Sequence, residues 1–485
     1  MNRRYFLKRI GILSVGICTQ LSATSPPKQP NILYFMTDDE SWLERSVYGW
    51  STLPTPHFDR VAREGVLFTN AFTSAPSCAP SRASVLTGRN FWELRQGAFI
   101  QAFIPKEFPI FPKILADHGY KLGYTGKAWG PGSHPTAGIP SNSLGTRYNH
   151  ETIPNPPEQV RAIDYAANFA RFLKGRKPGQ PFFFWAGIIE PHEPSGKTNY
   201  LLLEKEFGVT LDQVSLPPFV EDTLENRKKR ASFLYEICWA DRHLGRMLKT
   251  LEEIGELDNT LVVVTSDNGT AIPYEVKDDG CRGKASPFDF GVHEPLAMMW
   301  PEKIKSGRTV TDFVSFADFA PTFLEAAGVE TPSSMSGKSL MPIFKSKKSG
   351  RIDPKRDFIM TGLEWHGEFD PVSRSSRTIR DDRYAYVLRY SNVDEKGNPL
   401  PKEEWMKPAK IELYDLKKDP WQLTDLSKEP AYAKEMKRLA NKQRQVAIKT
   451  GDPRFTGDID IFQKTRWYVQ ERKRGGYKKR VEFPE

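Results

Sequence analysis

The chain has 485 residues, 39% of them hydrophobic and 12% aromatic, which is enough to bury a large core and a smaller second one and excludes a disordered chain. Lysine and arginine number 70 against 60 aspartates and glutamates, and the formal charge of +10 favours polyanionic partners (nucleic acid, anionic membrane or sulfated polymer) without choosing among them. Past residue 24 no apolar run approaches the ~20 residues that span a bilayer, so no transmembrane segment is expected in the mature protein.

The first element, Arg3-Arg4-Tyr5-Phe6-Leu7-Lys8 followed by the apolar stretch Ile10 to Ile17 and small residues at Ser22 and Ala23, has the pattern of an export signal over residues 1–24. Its paired arginines resemble a twin-arginine signal, with a Sec signal as the alternative; either predicts a periplasmic, extracellular or surface-associated protein. One of the four cysteines, Cys18, falls in this segment. Cys78, Cys238 and Cys281 remain, too few for a disulfide scaffold and odd in number, so one thiol needs its own explanation.

Asn31 to Met36 reads as a buried strand that runs directly into Thr37-Asp38-Asp39. The same grammar recurs at Pro181 to Ile189 before Glu190-Pro191-His192, and at Leu261 to Val264 before Thr265-Ser266-Asp267-Asn268-Gly269. Helical periodicity over Arg227 to Ile254 separates the last two. Alternating strands and helices predict an α/β fold with a parallel sheet, and such sheets collect ligands at the carboxyl ends of their strands. The three polar clusters should therefore converge. This first unit is expected over residues 30–345. A Lys/Ser/Gly linker, Lys345 to Gly350, then precedes short alternating runs (Asp382 to Tyr390, Ile411 to Leu416) and a polar helix near Ala431 to Val446, which predict a smaller α+β domain over residues 351–485.

The most specific run is Cys78-Ala79-Pro80-Ser81-Arg82-Ala83-Ser84-Val85-Leu86-Thr87-Gly88. It resembles the signature CxPSRxxxLTG of the formylglycine-dependent sulfatases at every fixed position. The resemblance implies an alkaline-phosphatase-like sheet sandwiched by helices. It further implies oxidation of Cys78 to formylglycine (3-oxoalanine) by a formylglycine-generating or anaerobic sulfatase-maturating enzyme, and hydrolysis of a sulfate ester. One hydroxyl of the hydrated aldehyde would attack sulfur and the other would release the sulfate. A sulfate ester repels nucleophiles through its own charge, so a metal and cations are needed.

Asp38, Asp39, Asp267 and Asn268 are hard oxygen donors that suit calcium or magnesium, although Asp-Asp and Asp-Asn-Gly taken singly also serve as helix caps. The resemblance implies one calcium ion on these four residues and the group at Cys78. It implies catalytic roles for Arg82, Lys127 in Gly126-Lys127-Ala128, Lys284 in Gly283-Lys284-Ala285, and His192 as the general acid. Trp129 stands where many sulfatases place a histidine; either His134 takes that role or the role is vacant. Trp365, His366 and Arg377 are candidates for a sugar-binding rim, since Trp stacks on sugar faces and Arg pairs with sulfate. His57, His118, His150, His243 and His293 lie in no motif and read as structural.

Glu412-Leu413-Tyr414-Asp415-Leu416, through Asp419-Pro420, resembles the C-terminal element of the family. The expected substrate is a sulfated polysaccharide or its oligosaccharides, of ulvan or glycosaminoglycan type, and no nucleic-acid partner is expected. Three alternatives stay open: sulfamate hydrolysis on N-sulfoglucosamine, a two-zinc phosphoesterase of the same superfold, and an exported polyanion-binding protein without catalysis. The phosphoesterase would need more strand-end histidines than a chain with eight offers.

Overall fold

The computed structural model describes residues 29–100, 103–128, 143–271, 282–364, 375–394, 396–459, 471–473 and 476–478. The expected signal, Trp129, His134, Cys281, Trp365 and His366 lie outside them.

Nine short or medium strands open the chain: β1 (Asn31–Thr37), β2 (Val66–Phe68), β3 (Ala71–Phe72), β4 (Lys121–Gly126), β5 (Thr146–Arg147), β6 (Phe182–Gly187), β7 (Thr260–Ser266), β8 (Leu296–Met299) and β9 (Arg308–Val310). All but β3 form one eight-stranded sheet in the order β5-β4-β6-β1-β7-β8-β2-β9. Its central strands are apolar at nearly every position because both faces are covered. Along β1, Ile32, Tyr34 and Met36 enter one core while Leu33 and Phe35 enter the other; β7 divides Leu261 and Val263 from Val262 and Val264 in the same way.

Three helices cover the first face: α2 (Cys78–Thr87), α3 (Phe111–Asp117) and α7 (Phe319–Ala326). The second face packs under α1 (Pro56–Glu64), α4 (Tyr165–Lys174) and α6 (Leu224–Glu253), while α5 (Asn199–Phe207) lies against α6. The long α6 starts where Thr223 accepts a hydrogen bond from the Asn226 amide, a side-chain cap on an otherwise orphaned donor. None of the helices among the described residues is long and apolar enough to cross a membrane.

The expected parallel sheet is observed, with one strand reversed. β8 runs antiparallel to both β7 and β2, and the remaining pairs are parallel. The chain enters β8 from a short helical turn, Asp289–Val292, and from an antiparallel bridge between His293 and Phe72. The expected linker is also more constrained than its composition suggested: Gly350 bridges to Val310 at the end of β9, and its amide bonds to the Thr309 carbonyl at 2.8 Å.

After a short β10 (Val314–Ser315) paired with β3, the smaller unit is a four-stranded antiparallel sheet. It comprises β11 (Phe358–Leu363), β12 (Ser376–Asp381), β13 (Tyr384–Arg389) and β14 (Lys410–Asp415), in sequential order. Strand alternation gives this sheet two jobs. Tyr384, Tyr386 and Leu388 face α8 (Ala433–Lys449), while Val387 and Tyr414 pack on Phe288 of the large unit.

Candidate active site

Four adjacent parallel strands, β4, β6, β1 and β7, end on one edge of the large sheet. Each releases polar residues there: Lys127 after β4, His192 after β6, Asp38 and Asp39 after β1, Asp267 and Asn268 after β7. Three of these ends were legible as strand-then-acid or strand-then-histidine runs; the fourth, at Lys127, gave only a Gly-Lys signal. The close spacing of β4 and β6 depends on glycine. A Cβ on Gly187 would stand 2.0 Å from the Lys127 carbonyl oxygen, and one on Gly126, which has φ +67°, would stand 2.0 Å from that of Gly187. The side chain of Asn149 completes this turn by accepting from the Gly126 amide and the Thr125 hydroxyl, both at 2.9 Å.

Cys78 is the first residue of α2 and its side chain meets the strand ends from the side. Its Sγ lies 3.5 Å from Asp38 Oδ1, 3.8 Å from Asp39 Oδ1 and 3.1 Å from Lys284 Nζ. Lys284 reaches Asp39 at 2.6 Å and Lys127 reaches Asp38 Oδ2 at 2.5 Å. Arg82, one turn into α2, is fully buried; its Nε and a terminal nitrogen contact Asp267 Oδ2 at 2.9 and 2.8 Å, and its other terminal nitrogen donates to the Lys127 carbonyl. His192 Nδ1 donates to the Glu193 carbonyl at 2.7 Å, since a carbonyl can only accept, and Nε2 faces Asp39 at 3.8 Å.

Three carboxylates thus face three cations in a nearly dry pocket. Burial alone would raise the Asp38 carboxyl, but Lys127, and with it Arg82 and His192, holds it down at about 2, so it stays ionised at any ordinary pH. The Cys78 thiol goes the other way: burial pushes it up to about 12 in spite of the two lysines. As a cysteine it is a protonated, weak nucleophile at neutral pH. Asp39 adopts φ +74°, a left-handed conformation that costs a non-glycine residue of order 1 kcal/mol and that functional sites commonly retain.

The donor set fits a hard divalent cation. Oxygens or ring nitrogen of Asp38, Asp39 and His192 and the Cys78 sulfur can be chosen within 4.8 Å of one another. Asn268 donates its amide nitrogen to Asp39 Oδ1 at 2.8 Å, which points its Oδ1 the other way, and that buried oxygen has no hydrogen-bond partner. An orphaned amide oxygen beside three carboxylates is a ligand position for calcium or magnesium. Asp267 joins the set through Oδ1, which accepts only the Asp39 amide, at 3.1 Å.

All of Cys78, Arg82, Lys127, His192, Lys284, Asp38, Asp39, Asp267 and Asn268 converge as the sequence predicted. Arg377 does not. Its rim role is corrected: the side chain is fully buried and saturated, Nε on Asp452 Oδ2 at 2.5 Å and a terminal nitrogen on Glu364 Oε1 at 2.5 Å, with Arg454 on the same glutamate at 2.7 Å. The histidines set aside are structural where buried: His293 stacks between Trp42 and Phe72, and His243 packs against Tyr165 and Trp239.

Two supports escaped the sequence reading. Glu40 pairs with Arg45, which also reaches Asp241 at 3.4 Å, and Glu44 pairs with Arg230 and accepts from Thr270 at 2.7 Å. These buried ion pairs floor the loops that carry Asp38, Asp39 and Asn268; the acid run Asp38-Asp39-Glu40 was their only sequence signal, and it did not separate ligand from scaffold.

Comparison with known proteins agrees with this geometry. The family described as Sulfatase matches residues 30–329, and the one described as N-sulphoglucosamine sulphohydrolase, C-terminal, matches residues 283–449. The chain is 26% identical to an N-acetylglucosamine-6-O-sulfatase of Bacteroides thetaiotaomicron, covering 93% of this chain and 92% of that one. It is 29% identical to an ulvan-active sulfatase of Formosa agariphila over 84% of this chain and 77% of the relative. Among solved structures, one in complex with D-glucosamine-2-N,6-O-disulfate superposes with a TM-score of 0.66 at 21% identity, covering 88% and 99% of the two chains. A putative sulfatase from Bacteroides fragilis superposes with a TM-score of 0.69, also at 21% identity, covering 90% and 99%. The Sulfatase match takes in more than half of the chain and contains Cys78 with every residue gathered around it, so the chain belongs to the sulfatase family and is a sulfuric ester hydrolase.

Proposed function

We propose that the protein is an exported sulfatase acting on sulfate esters of a sulfated polysaccharide or its oligosaccharides, with one calcium ion held by Asp38, Asp39, Asp267 and Asn268 and formylglycine made from Cys78 by a maturating enzyme. The observation that carries this reading is the balance of charge at Cys78. Asp38, Asp39 and Asp267 are offset by Arg82, Lys127 and Lys284. A divalent cation on the orphaned Asn268 oxygen and its neighbours leaves the pocket net positive, which favours an anionic ester over its neutral alcohol product.

When present, the calcium ion supplies positive charge to the sulfate oxygens and the formylglycine supplies the nucleophilic oxygen. The chain's own groups do the rest. Lys127 and Lys284 flank Cys78 and donate to the anionic group of the substrate. Arg82 holds Asp267 and the backbone of Lys127, so it orients rather than reacts. His192, its ring fixed by the Glu193 carbonyl, turns Nε2 toward the pocket and hands a proton to the departing alkoxide.

Carbohydrate as the substrate class is supported by the ulvan-active and N-acetylglucosamine-6-O-sulfatase relatives and by the disulfated glucosamine in the similar structure. Export is supported by the N-terminal segment and is checked by cell fractionation. The deciding experiment is peptide mass spectrometry over Cys78 in protein from its native host. Conversion of the thiol to an aldehyde lowers the mass by about 18 Da. Unmodified Cys78 there, or no sulfate released from ulvan, carrageenan, fucoidan or heparan oligosaccharides, would overturn the reading.

The match of residues 283–449 to the C-terminal region of N-sulphoglucosamine sulphohydrolase favours a second reading, sulfamate cleavage. Comparing release from N-sulfated and O-sulfated glucosamine separates the two.

A further inference from the structure

Ten-residue α2 carries Cys78 at its start, and at its other end, about 15 Å away, the chain builds a second concavity. Asn90 and Glu93 follow the helix, and Ser336 and Gly337 bond to the Gly88 carbonyl that closes it, at 2.9 and 3.0 Å. The groove has a volume of ≈ 390 Å³, within the range of sites that hold small organic ligands. It lies between the two units: Phe313, Phe358, Met360 and Val446 line it with apolar surface, and the hydroxyl oxygens of Ser336 and Thr450, whose own protons go to Glu93 and the Val446 carbonyl, line it as acceptors.

Its charge is one-sided. The two acids in the wall are occupied internally: Asp318 by Arg356 at 2.6 Å and by the amides of Ser315 and Lys338, Glu93 by Asn90 and by the Ser336 hydroxyl at 2.6 Å. Lys338, Lys355 and Lys449 stand exposed on the rim, and among the described residues none has a carboxylate partner. An apolar lining with hydroxyl acceptors, under three hydrated ammonium groups that impose no bidentate geometry, suits a sugar ring bearing dispersed sulfate or carboxylate groups. No residue that gathers around Cys78 lines it.

We propose that this groove is a second carbohydrate subsite, holding a sulfated stretch of the same polymer whose ester is cleaved at Cys78. The proposal rests on the sulfated-carbohydrate reading above. It gives the enzyme a grip on a long chain independent of the reacting residue and raises the effective concentration of esters at the pocket.

The test uses the full-length protein and a triple variant, Lys338→Glu, Lys355→Glu, Lys449→Glu. The control is Lys174→Glu, Lys177→Glu, Lys205→Glu, a matched change in net charge at exposed lysines outside the groove. Binding to immobilised dextran sulfate, and to unsulfated dextran, is read at fixed ionic strength after thermal melts establish that both variants are folded. Loss of three rim contacts should weaken dextran sulfate binding about tenfold in the groove variant and much less in the control. KM on the cleaved polymer should rise in the same order. Equal weakening in the two variants, or none in the groove variant, overturns the proposal. Binding is read without turnover, so failure to release sulfate from any polymer sinks the functional reading separately from this one.

Discussion

At the scale of single residues, the geometry separates groups that act from groups that hold. In the proposed mechanism His192 serves the leaving group as its proton donor. His192→Gln is therefore expected to slow hydrolysis of a sugar sulfate by about 100-fold or more while barely changing that of an aryl sulfate whose phenolate departs unaided. A leaving-group series checks this, and a uniform loss across it would move His192 from acid to scaffold. Lys284 contacts both Asp39 and Cys78 Sγ, so Lys284→Met should lower kcat by about 100-fold, the scale of one lost oxyanion donor. The metal set predicts that chelation with EGTA abolishes sulfate release and that calcium restores it. In Asn268→Ala, restoration should need a severalfold higher calcium concentration, because one ligand oxygen is gone; unchanged calcium dependence would remove Asn268 from the set.

Legibility at this scale followed chemistry that is local in sequence. Cys78 to Gly88 sit on one helix and its cap, so a contiguous run reports them; Asp38-Asp39 and Asp267-Asn268 each stand at a strand end, a position with its own apolar preface. Arg377 was misread for the opposite reason. An arginine in a strand of alternating residues looks the same whether it faces solvent or two buried carboxylates, and its partners Glu364 and Asp452 are 13 and 75 residues away.

At the scale of elements, α6 ties the second face of the sheet to the loops beneath the site, through Arg230 with Glu44 and Asp241 with Arg45. It also carries His243, whose imidazole burial holds down at about 4, with Asp164 only partly opposing this. The folded state therefore binds fewer protons than the unfolded chain between the ordinary histidine value of ~6.5 and about 4. Stability from this group is whole above pH 6.5 and is lost as pH falls through that window, by about 3 kcal/mol at most. His243→Gln should flatten the pH dependence of the urea midpoint between pH 6.5 and 4, and an unchanged slope would mean that the ring is hydrated in solution. The sequence showed α6 as a helix because apolar residues recur along 30 residues at helical spacing. It did not show β8 as antiparallel, because strand direction is decided by how the connection returns and not by the four apolar residues of the strand itself.

At the scale of the whole molecule, a buried ion pair joins the two units, and a buried charge network inside the smaller unit rests on a ring of the larger one. Arg380 of β12 pairs with Asp289 of the large unit at 2.9 Å, and Arg377 links Glu364 and Asp452 while its guanidinium lies 4.8 Å from the ring centre of Phe91. Removing one member of such a network leaves ions without partners in a dry setting, which costs about 3–5 kcal/mol. Arg377→Met should therefore lower the denaturation midpoint sharply. Pairing it with Asp452→Asn should recover part of the loss, because the carboxylate stranded by the first change is then neutral. Below its melting temperature, Arg377→Met should keep the KM of the parent protein on an oligosaccharide substrate, since the side chain reaches no solvent. A raised KM with unchanged stability would return Arg377 to the substrate rim. The expected pattern, stability lost and KM kept, would assign this arginine to the internal scaffold of the smaller unit and not to recognition.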